Sequence, residues 1–256
     1  MSYYFSGNIR LAYTESFPLG KVEKSIILIH GFASNHIMNW SSVSWIKTLC
    51  DHGYHVITID LRGHGQSDRL YQPEDYKPVF FQNDIYNLMN HLNISQAVIM
   101  GYSMGARIAA LFANHYPQRI HSLILAGIGD NLLQETSFLP ESIAQALETP
   151  DRETLQDPLQ KMFRRFAEKT HSDLKALTAC IRGFSGYLTQ EQLLALKKPV
   201  LIANGTKDTI IGSTDYLRQS LPQAFFLDIP ERDHNTAVGD PVFKQGVLHF
   251  LSAMNG

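Results

Sequence analysis

A serine hydroxyl attacks a carbonyl only where the fold holds it clear and a neighbour takes its proton. The stretch 97–110 has the residue types to present one. Ala97-Val98-Ile99-Met100 is a short apolar run. The chain then breaks at Gly101-Tyr102-Ser103-Met104-Gly105 and resumes as Ala106-Arg107-Ile108-Ala109-Ala110, which favours helix. Strand, sharp turn, helix is the context of a nucleophile elbow. Glycines at 101 and 105 remove the Cβ atoms that would clash as strand and helix close on each other. The backbone N–H of Met104 falls at a helix N-terminus, where unpaired donors favour an oxyanion. The competing reading is a tight strand–helix turn whose serine only caps the helix.

The elements that must position this serine alternate along the chain. Residues 3–5 and 9–13 flank Ser6-Gly7-Asn8 and read as a hairpin at a sheet edge. Residues 25–29 form a continuous apolar run, as in a strand buried on both faces, and lead into His30-Gly31-Phe32. Residues 43–52 have helical spacing. Residues 55–60 are a further buried strand, running into Leu61-Arg62-Gly63-His64-Gly65-Gln66-Ser67-Asp68. Residues 79–92 read as an amphipathic helix with Phe80, Asp84, Ile85, Leu88 and Leu92 on helical steps. The elbow follows, its helix stopping before Pro117, and 122–126 is the next strand.

Past Asp130 the pattern changes. From about 131 to 188 there is helical periodicity and no convincing strand, at 143–147, 159–169 and 174–181. Alternation resumes with strands at 199–203 and 224–229 and helices at 214–221 and 240–253, the last with Asp240 at its N-cap and Pro241 at its first position. The expectation is an α/β fold: a mainly parallel sheet with helices on both faces and a helical cap insertion. Residues 1–130 and 191–256 would form one discontinuous core, and 131–190 the cap. The cap carries Phe138, Leu139, Met162, Phe163, Phe166, Phe184 and Tyr187, which hint at an apolar portion of the substrate.

In such sheets chemistry collects at the carboxyl ends of the strands. Ser103, Asp208, His234 and His30-Gly31-Phe32 each follow a strand in this way, and the first three occur in the chain order Ser, Asp, His. The competing reading of Asp208 is a turn cap, a common use of aspartate, and His234 is one of 11 histidines.

Composition narrows the function classes. Over 256 residues the formal charge is −2, with no basic stripe, so nucleic acid is not an expected partner. Two cysteines, Cys50 and Cys180, make neither a disulfide framework nor a metal cluster. The histidines lack ligand spacing and no dinucleotide fingerprint occurs, so no metal or organic cofactor is expected. The first residues lack a basic, then apolar leader pattern, and no run reaches the length of a membrane span. A cytoplasmic protein acting on a small-molecule substrate, with neither membrane nor nucleic acid as partner, is the expectation.

The pieces His30-Gly31-Phe32, Asp60 through Ser67, Gly101-Tyr102-Ser103-Met104-Gly105, Gly205-Thr206-Lys207-Asp208 and His234 together resemble the α/β-hydrolase superfamily over essentially the whole chain. The resemblance implies acyl transfer: Ser103 as nucleophile, His234 as base and then acid, Asp208 orienting the imidazole, and the N–H groups of Phe32 and Met104 as oxyanion hole. Asp130 is a rival acid, because some relatives place the carboxylate after that strand. His30 and His64 are expected to be structural. The pattern departs from the family at Asp233, where glycine is usual, which puts the histidine loop's conformation in question.

A serine nucleophile argues against relatives that attack with aspartate, such as epoxide hydrolases and haloalkane dehalogenases. Carboxylic ester or thioester hydrolysis is the leading expectation. A carbon–carbon bond hydrolase or lyase is the alternative, since Gly101 through Arg107 resembles the menaquinone-pathway member that eliminates pyruvate. That member usually has glycine where Ala106 stands. Arg107 is expected to form a surface salt bridge rather than to serve an acidic substrate. A non-catalytic small-ligand receptor on the same fold is the third alternative.

Overall fold

The structure, a computed structural model, describes residues 1–133 and 140–254. Its apolar runs become one eight-stranded sheet in the order β1-β2-β4-β3-β5-β6-β7-β8. β1 (Ser2–Ser6) and β2 (Ile9–Ser16) form the edge hairpin, and β2 pairs antiparallel with β4 (Tyr54–Ile59). β3 (Lys24–Ile29), β4, β5 (Ala97–Tyr102), β6 (Ile120–Ala126), β7 (Val200–Gly205) and β8 (Phe225–Ile229) run parallel. The helices are α1 (Trp45–Cys50), α2 (Pro78–His91), α3 (Met104–His115), α4 (Pro140–Glu148), α5 (Pro158–Lys169), α6 (Leu174–Gly183), α7 (Gln190–Leu194), α8 (Asp215–Ser220) and α9 (Pro241–Ala253).

Strand periodicity of two divides the core between the faces of the sheet. Ile27, Ile29, Ile57, Ile59, Ile99 and Leu125 pack with Phe81 and Ile85 of α2 and Ile108 and Phe112 of α3. Ile26, Leu28, Val56, Val98 and Met100 pack on the opposite side with Trp45 of α1 and Phe243 and Phe250 of α9. Helices on both faces bury β4, β5 and β7 along their whole length, which is why those runs lack polar alternation.

Two local expectations are corrected. In α2 the buried aromatic is Phe81, not Phe80: the core face runs through Phe81, Ile85, Leu88 and Met89, and Phe80 remains 37% exposed. Phe80 instead covers the Arg62 guanidinium at 5.1 Å, while Arg62 is held by paired hydrogen bonds to Asp84. The short α7 was not anticipated. Its signal was a Thr189–Gln192 capping box rather than a periodic apolar face, and five residues are too few to show a period.

Between β6 and β7 the described residues form α4, α5, α6 and α7 and no strand. α4 packs on both α5 and α6, and Arg182 of α6 pairs with Glu141 and Glu148 of α4. These helices are tied to the loops of the sheet by Thr170 Oγ1, which donates to Ala33 O at 2.8 Å, and by Tyr71, whose hydroxyl donates to Asp173 at 3.0 Å. Phe138 and Leu139 lie outside the described residues.

Candidate active site

β5 ends at Tyr102 and α3 begins at Met104, so Ser103 alone makes the turn, at φ 56° and ψ −117°. The left-handed φ is strained for a residue with a side chain. The flanking glycines show why no looser turn is available. A Cβ on Gly101 would lie 2.2 Å from Gly105 O, and one on Gly105 would lie 2.2 Å from Ile29 O.

Three residues distant in sequence meet here. Ser103 Oγ lies 3.0 Å from His234 Nε2, and His234 Nδ1 lies 2.7 Å from Asp208 Oδ2. Asp208 follows β7, and its other carboxylate oxygen accepts from Ile210 N at 3.0 Å, which fixes its rotamer. The Asp208 side chain is fully buried, so its charge acts on the imidazole with little competition from water. Asp130 is elsewhere engaged: its carboxylate accepts from Tyr216 N and Leu217 N and caps α8.

The histidine loop closes without the glycine usual before His234. Asp233 Oδ1 accepts from Asn235 N, Thr236 N and the Thr236 hydroxyl, a turn made by the side chain itself. These bonds, the Thr236 hydroxyl's first, hold the Asp233 carboxyl below its ordinary range. The carboxylate is thus spent on its own turn, while the buried Tyr102 hydroxyl donates to His234 O at 2.7 Å and pins the loop to the elbow.

Phe32 and Met104, the expected oxyanion donors, line one chamber with Ser103 and His234. The Phe32 loop approaches the elbow closely, since a Cβ on Gly31 would be 3.3 Å from Ser103 Cβ. Asn39 holds that loop by accepting from Gly31 N at 3.2 Å. Sequence reasoning missed Asn39, which sits on a short π-helical turn, Ile37–Ser41, with no motif to mark it. Behind the loop, His30 accepts from Leu61 N through Nε2 and donates through Nδ1 to Gly31 O. His64 donates through Nδ1 to Arg62 O, its ring 5.9 Å from that of Phe32. Its Nε2 is buried without a partner among the described residues, and burial pushes its pKa down to about 3.

Ser103 stands between two spaces. The inner chamber, about 70 Å³, is walled by Met104, Ile128, Phe163, Phe184 and Tyr187. The outer cleft, about 770 Å³, is bounded by Met38, Val43, Met162 and Phe166. Arg107 corrects an expectation: it enters the inner chamber instead of forming a surface salt bridge. Its guanidinium lies 5.0 Å over the Tyr187 ring, and it donates to Gly186 O at a long 3.4 Å. Burial lowers its pKa to about 10. The spacing puts position 107 one turn past Ser103, and a helix that starts at the site keeps its first turn there.

Among the described residues no three His, Cys, Asp or Glu side chains stand where they could share a metal ion. None of the described helices is long and apolar enough to cross a membrane.

Comparison with known proteins places the fold. A family model described as alpha/beta hydrolase fold matches residues 24–187. An uncharacterized protein of Mycobacterium tuberculosis is 33% identical over 119 residues, 46% of this chain and 33% of that one. The chain thus spans a third of the length of that relative. An AB hydrolase superfamily protein of Bacillus subtilis, YisY, is 29% identical over 73% of this chain and 75% of its own. Among solved structures, the enol-lactonase of Burkholderia xenovorans LB400 superposes with a TM-score of 0.82 at 20% identity, covering 98% of this chain and all of that one. A structure from a study of carboxylesterases of the thaumarchaeon Nitrososphaera gargenis superposes with a TM-score of 0.79 at 19% identity, over 99% and 98% of the two chains. At such identities the likeness is one of fold.

Proposed function

The chain belongs to the alpha/beta hydrolase fold family, and on that premise we propose that it is a serine hydrolase. It cleaves a carboxylic ester or thioester of a small, partly apolar substrate through an acyl-enzyme. The observation that carries this reading is the continuous relay from Ser103 Oγ to His234 Nε2, 3.0 Å, and from His234 Nδ1 to Asp208, 2.7 Å.

His234 accepts the Ser103 proton as Oγ bonds to the acyl carbon, and returns it to the leaving oxygen or sulfur. Asp208 keeps the proton on Nδ1, so that Nε2 presents its lone pair to the serine, and it stabilises the imidazolium that forms. The Phe32 and Met104 N–H groups serve the carbonyl oxygen as it gains charge. Loss of one such donor commonly costs about a hundredfold or more in turnover. Water then repeats the sequence on the acyl-enzyme. That the fold neighbours include an enol-lactonase and carboxylesterase-study structures is consistent with ester chemistry.

The test is labelling with a fluorophosphonate probe, with peptide mapping, of wild type and Ser103→Ala, alongside turnover of p-nitrophenyl esters of increasing chain length. Labelling at Ser103 with turnover that vanishes in Ser103→Ala is expected. No labelling of folded protein overturns the reading.

One observation favours the carbon–carbon hydrolase or lyase as second reading. Arg107 puts a half-buried cation in the chamber beside Ser103, with no carboxylate partner among the described residues. Such a cation suits an acidic acyl portion. Labelling at Ser103 with poor ester turnover would move the assignment there.

A further inference from the structure

Among the described residues, the two spaces beside Ser103 are charged in one sense only. The outer cleft is lined by Lys161, Arg165 and Lys169 and the inner chamber by Arg107, and no described aspartate or glutamate lines either. The whole chain carries a formal charge of −2, so this is a local segregation and not the overflow of a basic protein. Lys161, Arg165 and Lys169 all belong to α5, at steps of four residues. They therefore form one basic stripe, about 12 Å long, which corrects the expectation that the chain has none. Like charges at this spacing destabilise a helix. α5 does not offset the effect, because its one acid, Glu168, is bonded to Arg152 and Arg164. None of the three has an ion pair among the described residues.

We infer that this row binds phosphate: the substrate is an ester or thioester whose leaving alcohol or thiol carries phosphate groups, seated along α5. This rests on the serine hydrolase reading. The orientation follows from the chemistry. In the first step the Ser103 Oγ–acyl bond forms and the bond from acyl carbon to leaving oxygen or sulfur breaks, with the proton delivered by His234. The acyl part stays bonded and is assigned to the smaller chamber of about 70 Å³, while the bulkier leaving part takes the larger cleft of about 770 Å³. Three cations about 6 Å apart exceed what one carboxylate can engage and match a group with several anionic oxygens.

The experiment compares two substrate pairs that differ in phosphate. One is an acyl thioester of coenzyme A against the same acyl thioester of N-acetylcysteamine. The other is a monoacylglycerol 3-phosphate against the monoacylglycerol. In wild type at low salt, kcat/KM for the phosphorylated member of at least one pair should exceed that of its neutral partner by roughly 30-fold, and the preference should shrink as salt screens the row. The pair that shows it distinguishes a thiol from an alcohol leaving group. K161Q/R165Q/K169Q should reduce the preference below roughly threefold, and K47Q/K77Q/K175Q, which removes equal charge outside the cleft, should keep it. Equal turnover within both pairs, or a preference that survives in K161Q/R165Q/K169Q, overturns the inference while leaving the hydrolase reading intact. If wild type hydrolyses none of these substrates nor p-nitrophenyl acetate, the hydrolase reading fails. The row is then judged by calorimetric binding of adenosine 3′,5′-bisphosphate and glycerol 3-phosphate. Salt-sensitive binding lost in the triple variant upholds it, and no binding overturns it.

Discussion

Acid should unfold this protein through His64. The imidazole is buried, its pKa is about 3 against an ordinary 6.5, burial being the main cause and the neighbouring His30 the next. The unfolded chain therefore binds this proton between pH 6.5 and about 3 while the folded chain does not, and stability falls as the pH falls through that window. With those two values, lowering the pH from 7.5 to 5 costs about 2 kcal/mol from this group, and the full shift sets a ceiling of about 5 kcal/mol. Either is large beside a typical folding stability of about 5–15 kcal/mol. His30, also lowered by burial, has both ring nitrogens committed and adds to the effect in the same direction. Urea unfolding of wild type and His64→Gln at pH 7.5 and 5 measures it. The variant's offset in stability is irrelevant. Its loss of stability between the two pH values should be smaller than that of wild type by about 2 kcal/mol. Equal losses in both proteins, or a histidine-resolved NMR titration showing His64 protonated at pH 5 in the folded state, would refute the reasoning.

The two candidate acids separate by substitution. Asp208→Asn should lower kcat by about 10⁴ with little change in stability, whereas Asp130→Ala should leave kcat nearly unchanged and cost about 1 kcal/mol through the α8 cap; ester turnover and denaturant melts read both. Tyr102→Phe removes the 2.7 Å bond to His234 O and should cost about 1 kcal/mol, with kcat falling more than KM changes in steady-state assays. Gly105→Ala places a Cβ 2.2 Å from Ile29 O and should prevent soluble expression, because neither backbone can yield; soluble yield and a circular dichroism melt would show it.

Most of the sheet was legible because strands buried on both faces read as unbroken apolar runs, as in β3, β4 and β5. The elbow was legible because its glycines answer a local steric demand. Side chains whose role is set by distant partners were not. Nothing near Asn39 says that its amide will hold Gly31, eight residues back. Phe80 and Phe81 are indistinguishable until the direction of α2 over the sheet is fixed, and only then does Arg62 claim the former. Arg107 reads as an ordinary helix-surface arginine until Phe184, Gly186 and Tyr187 close over it. Asp233 looked like a defect in a glycine position, yet its carboxylate builds the turn that the glycine would have allowed.

β6 and β7 are hydrogen-bonded neighbours, yet α4 through α7 lie between them in sequence. The two strands run parallel, so the excursion leaves at the carboxyl end of β6 and must cross back to the amino end of β7, and the entropic cost of closing it rises only slowly with its length. Ser103, Asp208 and His234 all lie outside it. Segments of different size and shape can thus be spliced at this seam without stretching a strand or moving a reacting atom. Preference for one substrate over another can drift, or be transplanted from a relative, while the bond-breaking apparatus beneath is inherited unchanged.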